Sequence, residues 1–348
     1  MTVAVAVSGG RDSLLALALL RRRERDLVAV HALLASETAP EVLDGLRENC
    51  RVLDIPFQVL DLRSRFEELV VAPYVQSYLG GRTPNPCAWC NARIKFGLLL
   101  DAVREQGAET LATGHYARLT LTDHGPALWR GADPAKDQSY FLALLSPSQL
   151  ARAVFPLADR RKQDVLPELD RLGLSPPLPG ESQEVCFIPD DYREFLATRL
   201  AQLPPPGPIA LEDGRVIGQH KGLWRYTVGQ RKGLDVAWSE PLYVLRKEVA
   251  ANRLVVGERS RLLSQACRLE SVNFLASPAS WPRDLLLQTR YRQRPEPVRR
   301  TAHQETDAST PEMLALTYPE PREPAATGQI GVIYSAEGQV LAGGVISS

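Results

Sequence analysis

No excess of charge of either sign marks this 348-residue chain, in which 41 Lys and Arg stand against 41 Asp and Glu. A globally basic nucleic-acid coat protein is thereby excluded. Long apolar runs are missing too: the first helical stretch offers only Leu14–Leu20, far short of the ~20 residues that cross a bilayer. The basic-then-apolar layout of a signal peptide is also absent at the N-terminus, so a cytoplasmic location without membrane association is expected. Cysteines are sparse and odd in number: Cys50, Cys87, Cys90, Cys186 and Cys267. In a reducing compartment that points to metal, redox or nucleophilic roles before structural disulfides. There is no internal repeat and no long low-complexity tract. What remains is ordinary globular material, 44% hydrophobic and 24% charged, enough for two or three domains with separate cores.

Residues 2–7 read as a short buried strand, followed by a glycine loop at Ser8–Ser13 and a helical run from Leu14 to Arg23. Further strands near Leu27–Leu34 and Phe57–Leu62 alternate with helices near Glu41–Leu53 and Ser64–Tyr78. This alternation predicts an α/β fold with a doubly wound parallel sheet. Another helix is expected over Asn91–Gln106, a strand at Thr110–Thr113, and a last helix over Asp190–Leu203 that stops against the prolines at 204–206. Beyond that stiff connector the texture turns to short alternating β segments. The division expected is a first domain over 1–203, a small central domain over 204–260, and a closing β-barrel or sandwich over 261–348.

The loop Ser8-Gly9-Gly10-Arg11-Asp12-Ser13 sits where a strand ends and a helix begins, the place at which open α/β sheets bind ligands. Gly9 and Gly10 let the backbone approach an anion, the helix start offers free N–H groups, and both serines add hydroxyls. Asp12 is expected to cap the helix or to receive a metal ion bridging phosphates. The segment is neither a Walker loop nor G-x-G-x-x-G. It resembles the SGGxDS loop of the PP-loop pyrophosphatase superfamily, whose members split ATP between the α and β phosphates and adenylate a carbonyl-type oxygen.

Cys87 and Cys90 lie in a proline-stiffened stretch, Thr83–Asn91, running into the predicted helix. A thiol so placed is expected to feel helix N-terminal amides, which favour the thiolate. Cys186, between Val185 and Phe187, reads on its own as a buried small hydrophobe, and so do Cys50 and Cys267.

Read together, seven stretches resemble one family, the bacterial tRNA-specific 2-thiouridylases. They are SGGRDS, GRTPNPCAWCNARIKF (Gly81–Phe96), ATGHYAR (Ala112–Arg118), KDQSYFL (Lys136–Leu142), EVCFIP (Glu184–Pro189), GLWRYTVGQRKGL (Gly222–Leu234) and TRYRQ (Thr289–Gln293). The resemblance implies a PP-loop domain of the adenine nucleotide alpha hydrolase type, a small central domain and a C-terminal β-barrel. It implies replacement of the C2 oxygen of the wobble uridine of tRNAs for Lys, Glu and Gln by sulfur, with AMP and pyrophosphate as the products of ATP. By the same resemblance ATP would be held by Ala6, Val7, Ser8, Gly9, Gly10, Arg11, Asp12, Ser13, Leu33 and Gly114, with Mg2+ on the phosphates. Asn85, Pro86 and Cys87 would face the target base, and Cys90 and Cys186 would carry the sulfur chemistry. Contacts with tRNA are implied for His115, Lys136, Asp137, Gln138, Arg290, Tyr291 and Gln329.

In one place the chain departs from the family's commoner pattern, with Cys87 where the family has Asp. Three cysteines, Cys87, Cys90 and Cys186, are then available to hold a [4Fe–4S] cluster with one iron open to hydrosulfide. The alternative keeps the two-thiol scheme, in which a Cys186 persulfide delivers sulfur and Cys90 resolves it, leaving a disulfide. A sulfur donor, either sulfide or a persulfide relay from a cysteine desulfurase, is a further expected partner. Another PP-loop ligase and a non-catalytic iron–sulfur or tRNA-binding regulator stand as rival readings. Zero net charge makes any RNA footprint local, and two basic stretches qualify, Arg215–Gly233 with Trp224 and Tyr226, and Arg283–Arg300.

Overall fold

The protein is described by a computed structural model covering residues 2–23, 26–35, 38–178, 180, 185–188, 191–200, 202–301 and 313–347. Strand β1 (Thr2–Ala6), rich in Val and Ala, is buried at its centre, as a parallel strand covered on both faces must be. It lies between β2 (Leu27–Leu33) and β4 (Ala108–Ala112); β3 (Phe57–Asp61) pairs outside β2, and β7 (Ala153–Val154) outside β4. All four pairings are parallel. Chain order therefore runs outward from β1 to β3 and then jumps back to the other side of β1. The crevice between the carboxyl ends of β1 and β4 is the switch point at which such sheets bind ligands.

Helix α1 (Arg11–Arg21) is buried along every residue from Ser13 to Leu20. Leu17 and Leu20 pack onto the strands, while Leu14, Leu15 and Leu19 meet Tyr116, Leu157, Val165 and Leu169. A helix covered on both sides can be apolar all round. Helix α2 is Pro40–Val52.

The hairpin β5 (Ala117–Thr122) and β6 (Gly125–Arg130) follows β4. The central sheet, in the order β10-β11-β8-β9, uses β8 (Gly207–Ala210), β9 (Val216–His220), β10 (Tyr243–Glu248) and β11 (Arg253–Gly257). Strands β12 (Ser264–Phe274), β13 (Leu285–Gln288), β14 (Glu296–Arg300), β15 (Leu314–Arg322), β16 (Ile330–Ser335) and β17 (Val340–Ile346) close into a six-stranded barrel. The expected choice between barrel and sandwich is thus resolved as a barrel.

The barrel is fused to the first domain. Ile330, Val332, Tyr334 and Val340 share an apolar cluster with Tyr140 and Leu142, and the Tyr140 hydroxyl donates to the Ile330 carbonyl at 2.9 Å.

Two helices depart from the expected limits. The helix expected from Asn91 starts at Pro86, because Asn85 caps it, its Oδ1 accepting from the Ala88 N–H at 3.2 Å, and because proline suits the first helical turn. The last helix of the first domain runs only over Tyr192–Arg199.

Candidate active site

Ser13 shapes the glycine loop. Its Oγ accepts from the Ser8 N–H at 3.1 Å, donates to the Gly10 carbonyl at 2.9 Å, and lies 3.2 Å from the Ser8 hydroxyl. Gly9 takes φ +88°, and a Cβ there would press on Val42 and Leu178. Ala6 ends β1, Val7 is buried, and Leu33 ends β2, half-buried. His31 Nδ1 lies 2.7 Å from the Val7 carbonyl and its Nε2 2.7 Å from the Thr38 hydroxyl, which ties the floor of the loop to the segment before α2.

From the neighbouring strand end, Gly114 comes so close that a Cβ would stand 2.8 Å from the Asp12 carbonyl carbon and from the Ser13 nitrogen. Only glycine lets β4's loop press onto the start of α1.

Asp12 does not cap the helix, since the N-cap is Gly10 without a side-chain bond. Its carboxylate instead accepts from the Tyr116 hydroxyl at 2.8 Å and from Lys162 Nζ at 2.5 and 2.7 Å. Sequence reasoning missed both partners. Neither lies in a stretch whose spacing to the loop carries a signal, and only the packing of α1 against residues 116 and 165–171 brings them in.

The helix over residues 86–105 changes register in its middle, with Cys90–Leu99 in the π form. The Leu100 N–H closes it by bonding back to the Lys95 carbonyl. Lys95, five residues beyond Cys90 on this helix, lies near enough for its charge to act on the Cys90 thiol. Cys90 is buried, Cys87 half-buried, and Cys186 exposed as a residue.

Burial pushes the Cys87 thiol up to about 11 and the Cys90 thiol up to about 12, and it raises Cys186 as well. The thiolate-favouring effect of the helix start therefore loses to desolvation, contrary to the expectation from the sequence. The strongest opposing influence on all three is the positive charge of Lys95, and Cys186 in turn raises Cys87 and Cys90. The three thiols and one ammonium thus lie within electrostatic reach of one another. Phe187 and Ile188 anchor Cys186's segment in the apolar cluster that contains Cys90, with Phe187 edge-on to Phe66 at 5.7 Å and to Tyr74 at 5.3 Å. The remainder of the EVCFIP stretch, Glu184 and Pro189, lies outside the described residues.

His115 joins the two halves of the site. It is buried against Phe96 and Phe155, 2.7 Å through Nδ1 from the Thr113 hydroxyl. Burial, and next the charge of Lys95, hold its pKa well below the ordinary range, so the ring is neutral. Gly114 touches the glycine loop and His115 packs on Phe96, the residue after Lys95.

A family model described as the tRNA methyl transferase HUP domain matches residues 1–190, and models of the associated PRC-barrel domain and of an aminomethyltransferase β-barrel domain match 193–258 and 264–346. The tRNA-specific 2-thiouridylase MnmA of Nitratidesulfovibrio vulgaris is 51% identical, over 99% of this chain and 99% of its own. That of Lawsonia intracellularis is 45% identical, over 100% of this chain and 99% of its own. The chain belongs to the tRNA-specific 2-thiouridylase family.

Among solved structures, a U34-tRNA thiolase NcsA from Methanococcus maripaludis with its [4Fe–4S] cluster matches at 20% identity and TM-score 0.37, over 57% of this chain and 65% of that chain. A likeness that distant carries no argument about this site.

Several residues for which the thiouridylase resemblance implies tRNA contact are engaged within the protein. The Asp137 carboxylate accepts from the Gly131 and Ser139 N–H groups at 3.0 and 3.1 Å, and burial raises its pKa. Gln138 Oε1 accepts from the Tyr116 N–H at 3.1 Å. Gln329 reaches from the barrel to donate to the Thr83 carbonyl at 3.0 Å and the Pro84 carbonyl at 3.3 Å, bracing the stretch that leads to Asn85, Pro86 and Cys87. Tyr291 packs on Phe141 at 4.5 Å, while Arg290 is exposed and Lys136 half-buried.

The aromatic residues of the first basic stretch are not surface stackers, for Trp224 and Tyr226 are buried in the cores. Its Arg231 and Lys232 are exposed, as are Arg283, Arg292, Arg294, Arg299 and Arg300 of the second.

Proposed function

We propose that the protein is a tRNA sulfurtransferase that installs 2-thiouridine at the wobble position of tRNAs for Lys, Glu and Gln. The observation that carries this reading is the junction at Gly114-His115, which couples a phosphate-type loop to a helix bearing two cysteines on which the charge of Lys95 acts. An adenylating enzyme without sulfur chemistry would have no use for that helix. The model descriptions speak of methyl transfer and the relatives of thiolation; the cysteines support the second.

In this mechanism uridine O2 attacks the α-phosphate of ATP bound at Ser8–Ser13, pyrophosphate departs, and C2 is left bearing an AMP ester. Sulfur then attacks C2 and AMP leaves. The loop amides orient the phosphates, Gly114 lets the neighbouring strand end close onto the loop that holds them, and neutral His115 keeps the wall beside the base dry and uncharged. Mg2+ would be held by Asp12 and would neutralise phosphate charge.

Cys87, Cys90 and Cys186 suit a [4Fe–4S] cluster in number and kind, and a cluster would supply an open iron for sulfide. Among the described residues, however, no three of His, Cys, Asp and Glu gather closely enough to hold a metal ion. The thiols as placed do not fit the cluster, and no step is derived through it. The alternative uses the same residues: a Cys186 persulfide delivers its terminal sulfur, Cys90 thiolate attacks the S–S bond, and a Cys90–Cys186 disulfide remains. Lys95 would offset the negative charge at sulfur in either case.

The test is nucleoside mass spectrometry of tRNA treated with ATP and a sulfur donor. Cys90→Ala and Cys186→Ala should each abolish 2-thiouridine with tRNA binding little changed, and thiolation at the wild-type level by either would remove that cysteine from the mechanism. Full activity of iron-free protein given only a persulfide donor selects the two-thiol route; dependence on anaerobic reconstitution with iron selects the cluster.

A further inference from the structure

The turn between β13 and β14 exposes Arg290, Arg292 and Arg294. Arg292 takes φ +68°, a left-handed conformation uncommon for any residue but glycine, so its neighbours must hold it. The Arg290 carbonyl accepts from the Gln293 N–H at 3.1 Å and from Gln288 Nε2 at 3.0 Å, and the Thr289 hydroxyl donates to Gln293 Oε1 at 2.9 Å. Gln288 is buried and its amide cannot turn over. Its Oε1 accepts at 2.7 Å from the guanidinium of Arg130, which has donors only, so the amide nitrogen must face the Arg290 carbonyl. Arg130 comes from the first domain, where it ends β6. Its guanidinium lies 4.4 Å over the Tyr334 ring, and its Nε stands 3.5 Å from the carboxylate of Asp137. That carboxylate, only 8% exposed, also accepts from the Gly131 and Ser139 N–H groups and from the Ser139 hydroxyl. Asp137 in turn sits between Lys136 and Gln138. One guanidinium therefore ties the arginine turn of the barrel to the 136–138 stretch of the first domain.

We propose that Arg130 and Gln288 are positioning residues for RNA, which hold the turn over residues 290–294 in register with the 136–138 stretch so that cations of two domains meet one phosphate backbone. The proposal rests on the tRNA reading above and deepens it. Both residues act through others: Arg130 fixes the orientation of the Gln288 amide, and that amide fixes the turn. A turn already held in one shape loses less conformational freedom when RNA binds. Phosphate contacts set the register of a protein on its nucleic acid, so cations at a fixed spacing are favoured over the same cations on a loose loop. The fork of a guanidinium joins an acid and an amide at once, whereas an ammonium is a point charge without that planar geometry.

The test is titration of the full-length protein with tRNA over a range of salt concentrations, with ATP titrated separately. Gln288→Met, which changes no charge, should weaken tRNA binding about tenfold and make the slope of log affinity against log salt shallower by about one, as for one lost phosphate contact. ATP affinity should stay as in wild type. In a variant carrying both Arg290→Ala and Arg292→Ala, adding Gln288→Met should cost little further, because the residues it positions are gone. Arg130→Lys, which keeps the charge but not the fork, should lower tRNA affinity and slope in the same way, and it serves as the test if Gln288→Met does not fold. Wild-type tRNA affinity and salt slope in either variant overturn the proposal. So does full additivity with the double variant, or an equal loss of ATP affinity, which marks a general loss of structure. Each of these outcomes spares the tRNA reading; wild-type protein that binds no tRNA sinks that reading itself.

Discussion

Cys90 and Lys95 illustrate how burial and charge compete at a single atom. Desolvation pushes the Cys90 thiol up to about 12, and Lys95 is the main influence pulling it back. At neutral pH the resting protein therefore keeps this sulfur protonated and unreactive, and iodoacetamide should modify Cys90 more slowly than the exposed Cys186. Lys95→Met should slow modification of all three site thiols further at a given pH, as followed by mass spectrometry of peptides; unchanged rates would remove Lys95 from the sulfur site.

His115 makes a second, independent statement. Its folded pKa lies below the ordinary value, so below about pH 6.5 the unfolded chain takes up a proton that the native ring refuses. Its contribution to stability is whole above that pH and is lost as pH falls. The urea midpoint should drop between pH 7 and pH 5, and His115→Gln should flatten that drop; an equal slope in both proteins would contradict the buried neutral ring. The cysteines were legible in the sequence as a pair with a third partner, but the sign of the Cys90 pKa shift was not, because its burial depends on Phe187, Ile188 and Tyr74, which lie outside its own helix.

At the scale of elements, β1, the glycine loop and α1 were readable directly, because a short apolar strand, two glycines and a leucine-rich helix allow few other arrangements. The start of the cysteine helix was not, because Pro86 reads as a stiff loop residue until Asn85 is seen to cap it. Asn85→Ala should cost about 1 kcal/mol of stability in chemical denaturation. The π register was illegible altogether. No residue pattern marks an i→i+5 helix, yet the segment that carries both Cys90 and Lys95 takes that form.

Gly114 belongs to this scale as well, since it sets the distance between two loops. Gly114→Ala should cost about 1–3 kcal/mol and sharply reduce ATP affinity, because the added methyl group meets the backbone of Asp12 and Ser13. Unchanged nucleotide titrations would mean that the loop does not depend on this close approach.

Across the whole molecule, three domains meet around the cysteine helix. The barrel's Gln329 holds the Thr83–Pro84 backbone, and the central domain's Trp224 shares the apolar cluster of Cys90. This explains why residues remote in sequence influence one site. No helix among the described residues is long and apolar enough to cross a membrane. With no net charge to steer an RNA, affinity must come from the local arginines, so tRNA binding should weaken steeply as salt rises, more than the binding of AMP.

The central claim is that nucleotide cleavage and sulfur transfer occur at one junction and are coupled. The most direct measurement follows AMP and 2-thiouridine together in a reaction of the intact protein with ATP, tRNA and an isotopically labelled sulfur donor. The account predicts that the two products rise in equal amounts and that AMP formation requires tRNA. Labelled 2-thiouridine appearing without AMP, or AMP released at full rate without tRNA, would contradict it.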